Sequence, residues 1–505
     1  MCVLTIRRWQ KCYWTFSILL NSIKLLEITA AIVFELRHII SFRTEEAMEE
    51  KTISRRLAEF ALSMNMEDVP EDARKHGKLL LADTFGVAMS CQKMPHAQAV
   101  RKTVMGMKSV PQASLWGTDD KADIADAVLY NACLIHGADF DDTHVGGIVH
   151  PSAIVVATAV TVGEAIGASG HDIYEAILCG WEIAVRLALA AKGRFHDAGY
   201  HATGIIAPFA SACVAAKLMG DSADVLTNAL GICGSQSAAI QAFLQDGAWT
   251  KKLHPGWGGH SAIYALSMAR GGFSGPKEVF EGKFGMWMTH LGSTDGLEEM
   301  FDDLGKVWHI TEITAKLYPV CHMTHSFIDC MIRAIDHNGF TSDDIDSVEC
   351  RIESRCYPIV CTPREAKVRP KSDYMMRFSL PYVVAMAAMT HGMGAAQIDL
   401  KYAEAPAVQA LMDRIQCVDD DSKRNPGYFP GYMTIVLKDG RSFVMDQRYE
   451  MGTKQNPLDS EAVNRKLRDN LSSFYTAEQI NSIIENVNSI DLADGPIPLI
   501  LSLHA

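Results

Sequence analysis

Ile154–Ala168 reads IVVATAVTVGEAIGA, apolar on nearly every side at helical spacing and rich in Ala and Gly. Two later stretches behave alike, APFASACVAAKLMG over 207–220 and ALGICGSQSAAIQAF over 229–243. A helix with an apolar circumference is a central one enclosed by others, and small residues let neighbouring backbones approach closely. On either side, helical periodicity holds over Ile53–Ser63, Pro70–Met89, Ala122–Phe140, Ser152–Ile166, Asp172–Lys192, Ile205–Leu218 and Ala223–Phe243. No repeat of fixed period accompanies them, which disfavours a solenoid. The pattern predicts a large all-helical domain over 51–314.

After about residue 315 the period changes. SVECRIES (347–354) alternates Val348, Cys350 and Ile352 as a half-buried strand does. Tyr432–Met445 sets Asp439-Gly440 between two β-rich runs, a two-residue hairpin signal. Helical segments His325–His337 and Ser379–Thr390 lie between them, so 315–456 reads as a smaller α+β lid. Residues 457–505 return to amphipathic helix, Ser460–Val487, expected to pack back on the first domain. The fold class is therefore mainly α, a helical domain plus an α+β lid. The active site is expected in the cleft between them, where small-molecule sites commonly sit.

Residues 1–50 differ from the rest. Arg7, Arg8 and Lys11 precede an apolar stretch, CYWTFSILLNSI (12–23), and charges recur from Lys24 onward. A spanning helix needs about 20 clean apolar residues, and a signal peptide needs a small-residue cleavage site before the next charges. Neither pattern is met, and no membrane association is expected. Met48 makes a natural start, with Thr52 or Ser54 capping the first helix, so 1–50 is set outside the fold.

Composition narrows the function. Over 505 residues, 47 Lys+Arg face 60 Asp+Glu, a net charge of −13, with 48% hydrophobic and 21% charged residues. That excludes a disordered chain and argues against nucleic-acid binding, which needs a basic face. Thirteen cysteines are scattered without a Cys-x-x-Cys pair, and only Cys356 and Cys361 approach ligand spacing. Scattered buried thiols point to a reducing, cytoplasmic setting.

Four polar islands interrupt apolar sequence: DFDDTHVGGIVHPS (139–152), YHATG (200–204), KKLHPGWGGH (251–260) and YPVCHMTH (318–325). Together they supply imidazoles for acid/base work and lysines, Lys251 among them, to grip carboxylates. His254 joins this set as a substrate-binding candidate. Read blandly, Asp141 and Asp142 are helix caps and a lone His is structural. No nucleophile elbow, Walker loop or G-x-G-x-x-G accompanies the islands. A metal hydrolase of the consecutive His-Asp type is the rival, through His171-Asp172 or His196-Asp197. The first of these pairs reads as a helix start and the second as a loop, so no metal is expected.

The islands resemble the MmgE/PrpD family, which includes 2-methylcitrate dehydratase, cis-aconitate decarboxylase and iminodisuccinate epimerase. The resemblance runs from about 53 to 490. It is carried by DFDDTHVGGIVHPSA (139–153), HATGIIAPFASACVAAKLMG (201–220), ALGICGSQSA (229–238), KKLHPGWGGHSA (251–262) and GGFSGPKEVFEGKFG (271–285). It implies a cofactor-free homodimer acting on a small polycarboxylate. Positions that match the decarboxylase branch are Asp139, Thr143 and His150, then His201 and Lys251, then His325 and Tyr357 in the lid. Within that set His150 is expected to transfer the proton, Asp139 and Thr143 to hold it or the substrate, and Lys251 and His201 to grip carboxylates. His325 and Tyr357 would complete the pocket from the lid. Two departures touch the pocket. The 139–150 stretch is one residue longer than in the animal decarboxylase, with Gly146-Gly147 replacing bulkier residues. His201 stands in Tyr-His-Ala-Thr where Phe-His-Pro is usual. The expected reaction is dehydration or decarboxylation, with epimerisation of a dicarboxylate the alternative, and a metal-dependent hydrolase or a binding protein more remote.

Overall fold

The computed structural model describes residues 51–493, so the reading of 1–50 as an extension lies outside the described residues. From Ile53 onward the described chain forms one compact unit. We number its helices of ten or more residues: α1 Ile53–Ser63, α2 Glu71–Ser90, α3 Pro95–Met107, α4 Ile124–Ile135, α5 Pro151–Ile166, α6 Gly170–Ala191, α7 Ala202–Met219, α8 Ala223–Gly234 and α9 Thr250–Arg270. After these come α10 His325–Asn338, α11 Leu380–Thr390, α12 Ser460–Leu471 and α13 Ala477–Asn488.

The apolar stretches at 154–168 and 207–220 fall on α5 and α7, the one at 229–243 only in part on α8, and α7 is deeply enclosed. Every residue from Ala202 to Ala216 is buried, Pro208 included. Among the described residues α7 is the one helix long and apolar enough to cross a membrane, and it is a core helix. Close approach is built from glycine. A methyl group on Gly180 of α6 would collide with Val214 of α7, and one on Gly163 of α5 with Ile173. Helix α9 is the element that periodicity does not reveal, because Pro255 and three glycines break its pattern. Those glycines are the reason it packs. Substituents on Gly256, Gly258 and Gly259 would strike the Leu129 carbonyl, the Ala207 methyl and the Val128 side chain. Pro255 stands sixth in α9, where it removes the hydrogen bond to the Lys251 carbonyl, and the helix continues through it. The Lys251–His260 island therefore forms the first turns of α9, wedged between α4 and α7 with its glycines facing those helices.

Several boundaries differ from the sequence reading. The expected helix over 122–140 ends at Ile135, and the one over 223–243 ends at Gly234. Beyond each end the backbone turns to carry polar groups inward. Ser169 caps α6, its Oγ accepting from the Asp172 amide, so His171-Asp172 lies inside the first turn.

A second hydrophobic cluster gathers around a four-stranded sheet. Its strands are β1 Ile345–Ile352, β2 Ile415–Asp419, β3 Gly431–Leu437 and β4 Ser442–Gln447, in the order β2-β1-β3-β4. The β3–β4 hairpin turns at Asp439-Gly440, where Gly440 has φ +88°. Strand β2 pairs parallel with β1 and is reached through the helical segments between them, as a parallel pair requires. The C-terminal α12 returns to the first helices. Lys466 pairs with Asp83 at 2.6 Å, and a methyl group on Gly86 would sit 3.2 Å from the Leu467 Cα, a tight approach. All eleven described cysteines are unpaired, and ten of them are buried.

Candidate active site

After α4 the chain turns through Asp139 at φ +51°, a conformation that Asp tolerates better than most residues. The turn aims its carboxylate into a cavity. Lys251, in the first turn of α9, places Nζ 2.6 Å from Asp139 Oδ1. Lys316 places its own Nζ 3.1 Å from the same oxygen and 2.9 Å from the Asp139 carbonyl. Burial alone would push the Asp139 carboxyl up, but the two ammonium groups, with His150, hold it well below the usual carboxylate range. Two cations against one carboxylate leave a surplus positive charge at the cavity wall.

His150 ends the same loop, just before α5. Its Nδ1 lies 2.8 Å from the Asp142 carbonyl, which can only accept, so Nδ1 carries the proton and Nε2 carries the lone pair. Thr143 Oγ1 lies 3.2 Å from the same Nδ1, and the Thr203 hydroxyl accepts from the His150 amide. Burial, then the charges of Lys316 and Lys251, keep this imidazole well below its ordinary pKa. It is a neutral base with a fixed tautomer.

The other acids of the loop are structural. Asp142 accepts from the Ser152 amide at 3.2 Å and from its hydroxyl, securing the start of α5, and burial pushes its carboxyl up to about 8. Asp141 holds His136 through Nδ1 at 2.7 Å. The loop also closes on itself, since His144 Nδ1 accepts from the Gly147 amide. Any side chain at 147 would meet Ala188 of α6, which accounts for glycine there.

His201 precedes α7. Its Nδ1 faces His254 Nδ1 at 3.0 Å, and its Nε2 has no hydrogen-bond partner among the described residues. Both imidazoles are held low, His254 to about 3, with burial the leading cause. His254 thus backs His201 and is absent from the cavity wall. His136, His150 and His201 bring ring nitrogens within 4.8 Å of one another, close enough in type and spacing to hold a metal ion.

Of the expected residues, Asp139, Thr143, His150, His201 and Lys251 line the cavity together. His325 and Tyr357 do not. His325 is the first residue of α10, its Nε2 turned 3.3 Å from the Val320 carbonyl and its ring packed behind His322. His322 takes the wall position, and neither of its ring nitrogens has a hydrogen-bond partner among the described residues. Tyr357 begins a short helix whose Ile359 reaches the wall. His196 also lines the cavity, while Asp197 turns away to pair with Arg355 at 3.2 Å. Lys316 is the residue the sequence reading misses altogether. Its one signal is a lone Lys two residues before the fourth island.

Residues 55–297 match the MmgE/PrpD N-terminal domain and 318–490 the MmgE/PrpD C-terminal domain. The chain belongs to the MmgE/PrpD family. It is 22% identical to a cis-aconitate decarboxylase of Aspergillus terreus, over 90% of this chain and 96% of that protein. With the cis-aconitate decarboxylase of Mus musculus it shares 23% identity, over 88% and 92%. With the 2-methylcitrate dehydratase of Cupriavidus necator it shares 22%, over 84% and 91%. As an MmgE/PrpD protein it therefore has both decarboxylases and a dehydratase among its relatives. Its cavity draws on both matched stretches, with Asp139 to Lys251 from the first and Cys321 to Phe429 from the second. Lys316 falls between them.

Proposed function

We propose that this chain is a lyase that acts without a cofactor on a small di- or tricarboxylic acid, by dehydration or decarboxylation. The observation that carries this reading is the convergence of two buried ammonium groups on Asp139 Oδ1 beside a neutral His150. Either reaction breaks a bond at a carbon next to a carboxylate and leaves negative charge there. Lys316 is preorganised to stabilise that charge, and Lys251 holds a substrate carboxylate. In dehydration His150 Nε2 takes the proton from that carbon; in decarboxylation the proton that replaces CO₂ reaches the carbon from solvent through His150. His201 and His322 face the same space and can donate to a leaving hydroxyl or to a second carboxylate. The names of the relatives support both lyase reactions. An epimerase is the second reading, favoured by the presence of more than one unpartnered imidazole on one cavity: removal and return of a proton need only that. Incubation with citrate, 2-methylcitrate, cis-aconitate and iminodisuccinate separates them. A new alkene or released CO₂ supports the lyase, racemised product supports the epimerase, and no turnover of any of the four contradicts both.

The depressed imidazoles set the pH dependence. A base held below its ordinary value stays unprotonated as the medium is acidified through pH 6.5. For dehydration the kcat/KM profile, corrected for substrate ionisation, therefore stays flat through pH 6.5 and falls only below it. An acid limb at or above 6.5 contradicts this assignment.

Chelation tests the absence of a cofactor. Activity is expected to survive exhaustive EDTA treatment. Loss, with rescue by a divalent ion, would make His136, His150 and His201 metal ligands instead.

A further inference from the structure

Beside the reaction cavity lies a second, open chamber, and the two share Ile148 and Phe429 as walls. Ile148 has φ +50°, a conformation that a β-branched residue adopts only where its surroundings force it. Such strain gathers at functional clamps and gates. Here it sets the Ile148 side chain in the partition. Gly146, one of the two glycines that distinguish this loop, lines the outer chamber.

The chamber's charge is unusual for a chain of net charge −13. Its walls carry Lys192, Arg355 and Arg424 against a single acid, Glu353. Glu353 is buried, burial pushes its carboxyl up, and Cys356 Sγ lies 3.3 Å from it. Arg355 is offset by Asp197. Lys192 and Arg424 are exposed and have no ion-pair partner among the described residues. Two unpaired cations in a concave mouth focus the field and raise the local concentration of anions.

We propose that this chamber is the anion-collecting antechamber of the site. A polycarboxylate docks on Lys192 and Arg424 and then passes the Ile148–Phe429 partition to reach Lys251 and Lys316. This rests on the reading of the inner cavity as a polycarboxylate site.

The test uses tricarballylate, a saturated tricarboxylate with no hydroxyl to eliminate. Its association rate is measured by stopped-flow tryptophan fluorescence from low to physiological ionic strength. The wild type, a Lys192→Gln/Arg424→Gln double variant and Lys251→Ala are compared. Wild-type association should slow as salt rises. The double variant should associate about tenfold more slowly at low salt, with a flattened salt dependence and an unchanged dissociation rate. Lys251→Ala should speed dissociation. If the double variant keeps the wild-type rate and salt slope while Lys251→Ala weakens binding, the antechamber is wrong and the inner site stands. If the wild type does not bind tricarballylate, the inner-site reading fails and the antechamber fails with it.

Discussion

Replacing His150 by Gln lowers kcat about 10²- to 10⁴-fold and leaves KM nearly unchanged. The expectation follows from the atoms that His150 does and does not use for structure. Its Nδ1 is committed to the Asp142 carbonyl, and its amide to Thr203. Its Nε2 faces Asp139 Oδ1 at 4.0 Å, beyond hydrogen-bond reach, and is the atom left for chemistry. Gln keeps a polar group of similar reach but cannot take up a proton. Steady-state kinetics on whichever acid the wild type turns over measures the effect. A wild-type kcat in His150→Gln, together with a lost kcat in His322→Gln, would move the proton transfer to the other wall.

Lys251→Ala should act mainly on KM, raising it roughly 10- to 150-fold for the loss of a charge contact of about 1.5–3 kcal/mol. Ground state and transition state both present carboxylates to this ammonium group, so binding suffers more than turnover. The fold should survive, because Lys316 still holds the Asp139 carboxylate and carbonyl. Lys316→Ala is the harsher change. That side chain is 1% exposed, and removing it takes away the group that pins the carbonyl of a residue at positive φ. Paired thermal melts and kinetics separate the two: Lys251→Ala should keep the wild-type Tm, whereas Lys316→Ala should lose several degrees. A fall in kcat with unchanged KM in Lys251→Ala would show that this ammonium group acts only in the transition state.

How much of this was legible in the sequence depended on how local the signal was. The apolar circumference of α5 and α7 is local, and both helices appear where periodicity puts them. Helix α9 was hidden because its glycines answer to Leu129, Ala207 and Val128, partners scattered through the preceding chain. Strand β2 has five residues and a parallel partner more than sixty positions earlier, so neither length nor alternation announced it. In the site, Asp139, His150, His201 and Lys251 stood out as polar groups in apolar surroundings. The choice between His322 and His325 did not, because a single 3₁₀ turn, His322–Thr324, decides which ring meets the wall. Lys316 carried no pattern of its own. Only folding brings it to an aspartate 177 positions away.

An imidazole flanked by two ammonium groups is expected to move a proton at a carbon next to a carboxylate without a cofactor. The most direct measurement is proton NMR of the four candidate acids incubated in D₂O with the EDTA-treated enzyme, wild type beside His150→Gln. The predicted result is turnover of at least one acid by the wild type, seen as a new alkene signal on dehydration or as deuterium taken up next to a carboxylate on decarboxylation, and neither from His150→Gln above background. Wild-type samples that show no turnover and no exchange with any of the four acids would contradict it.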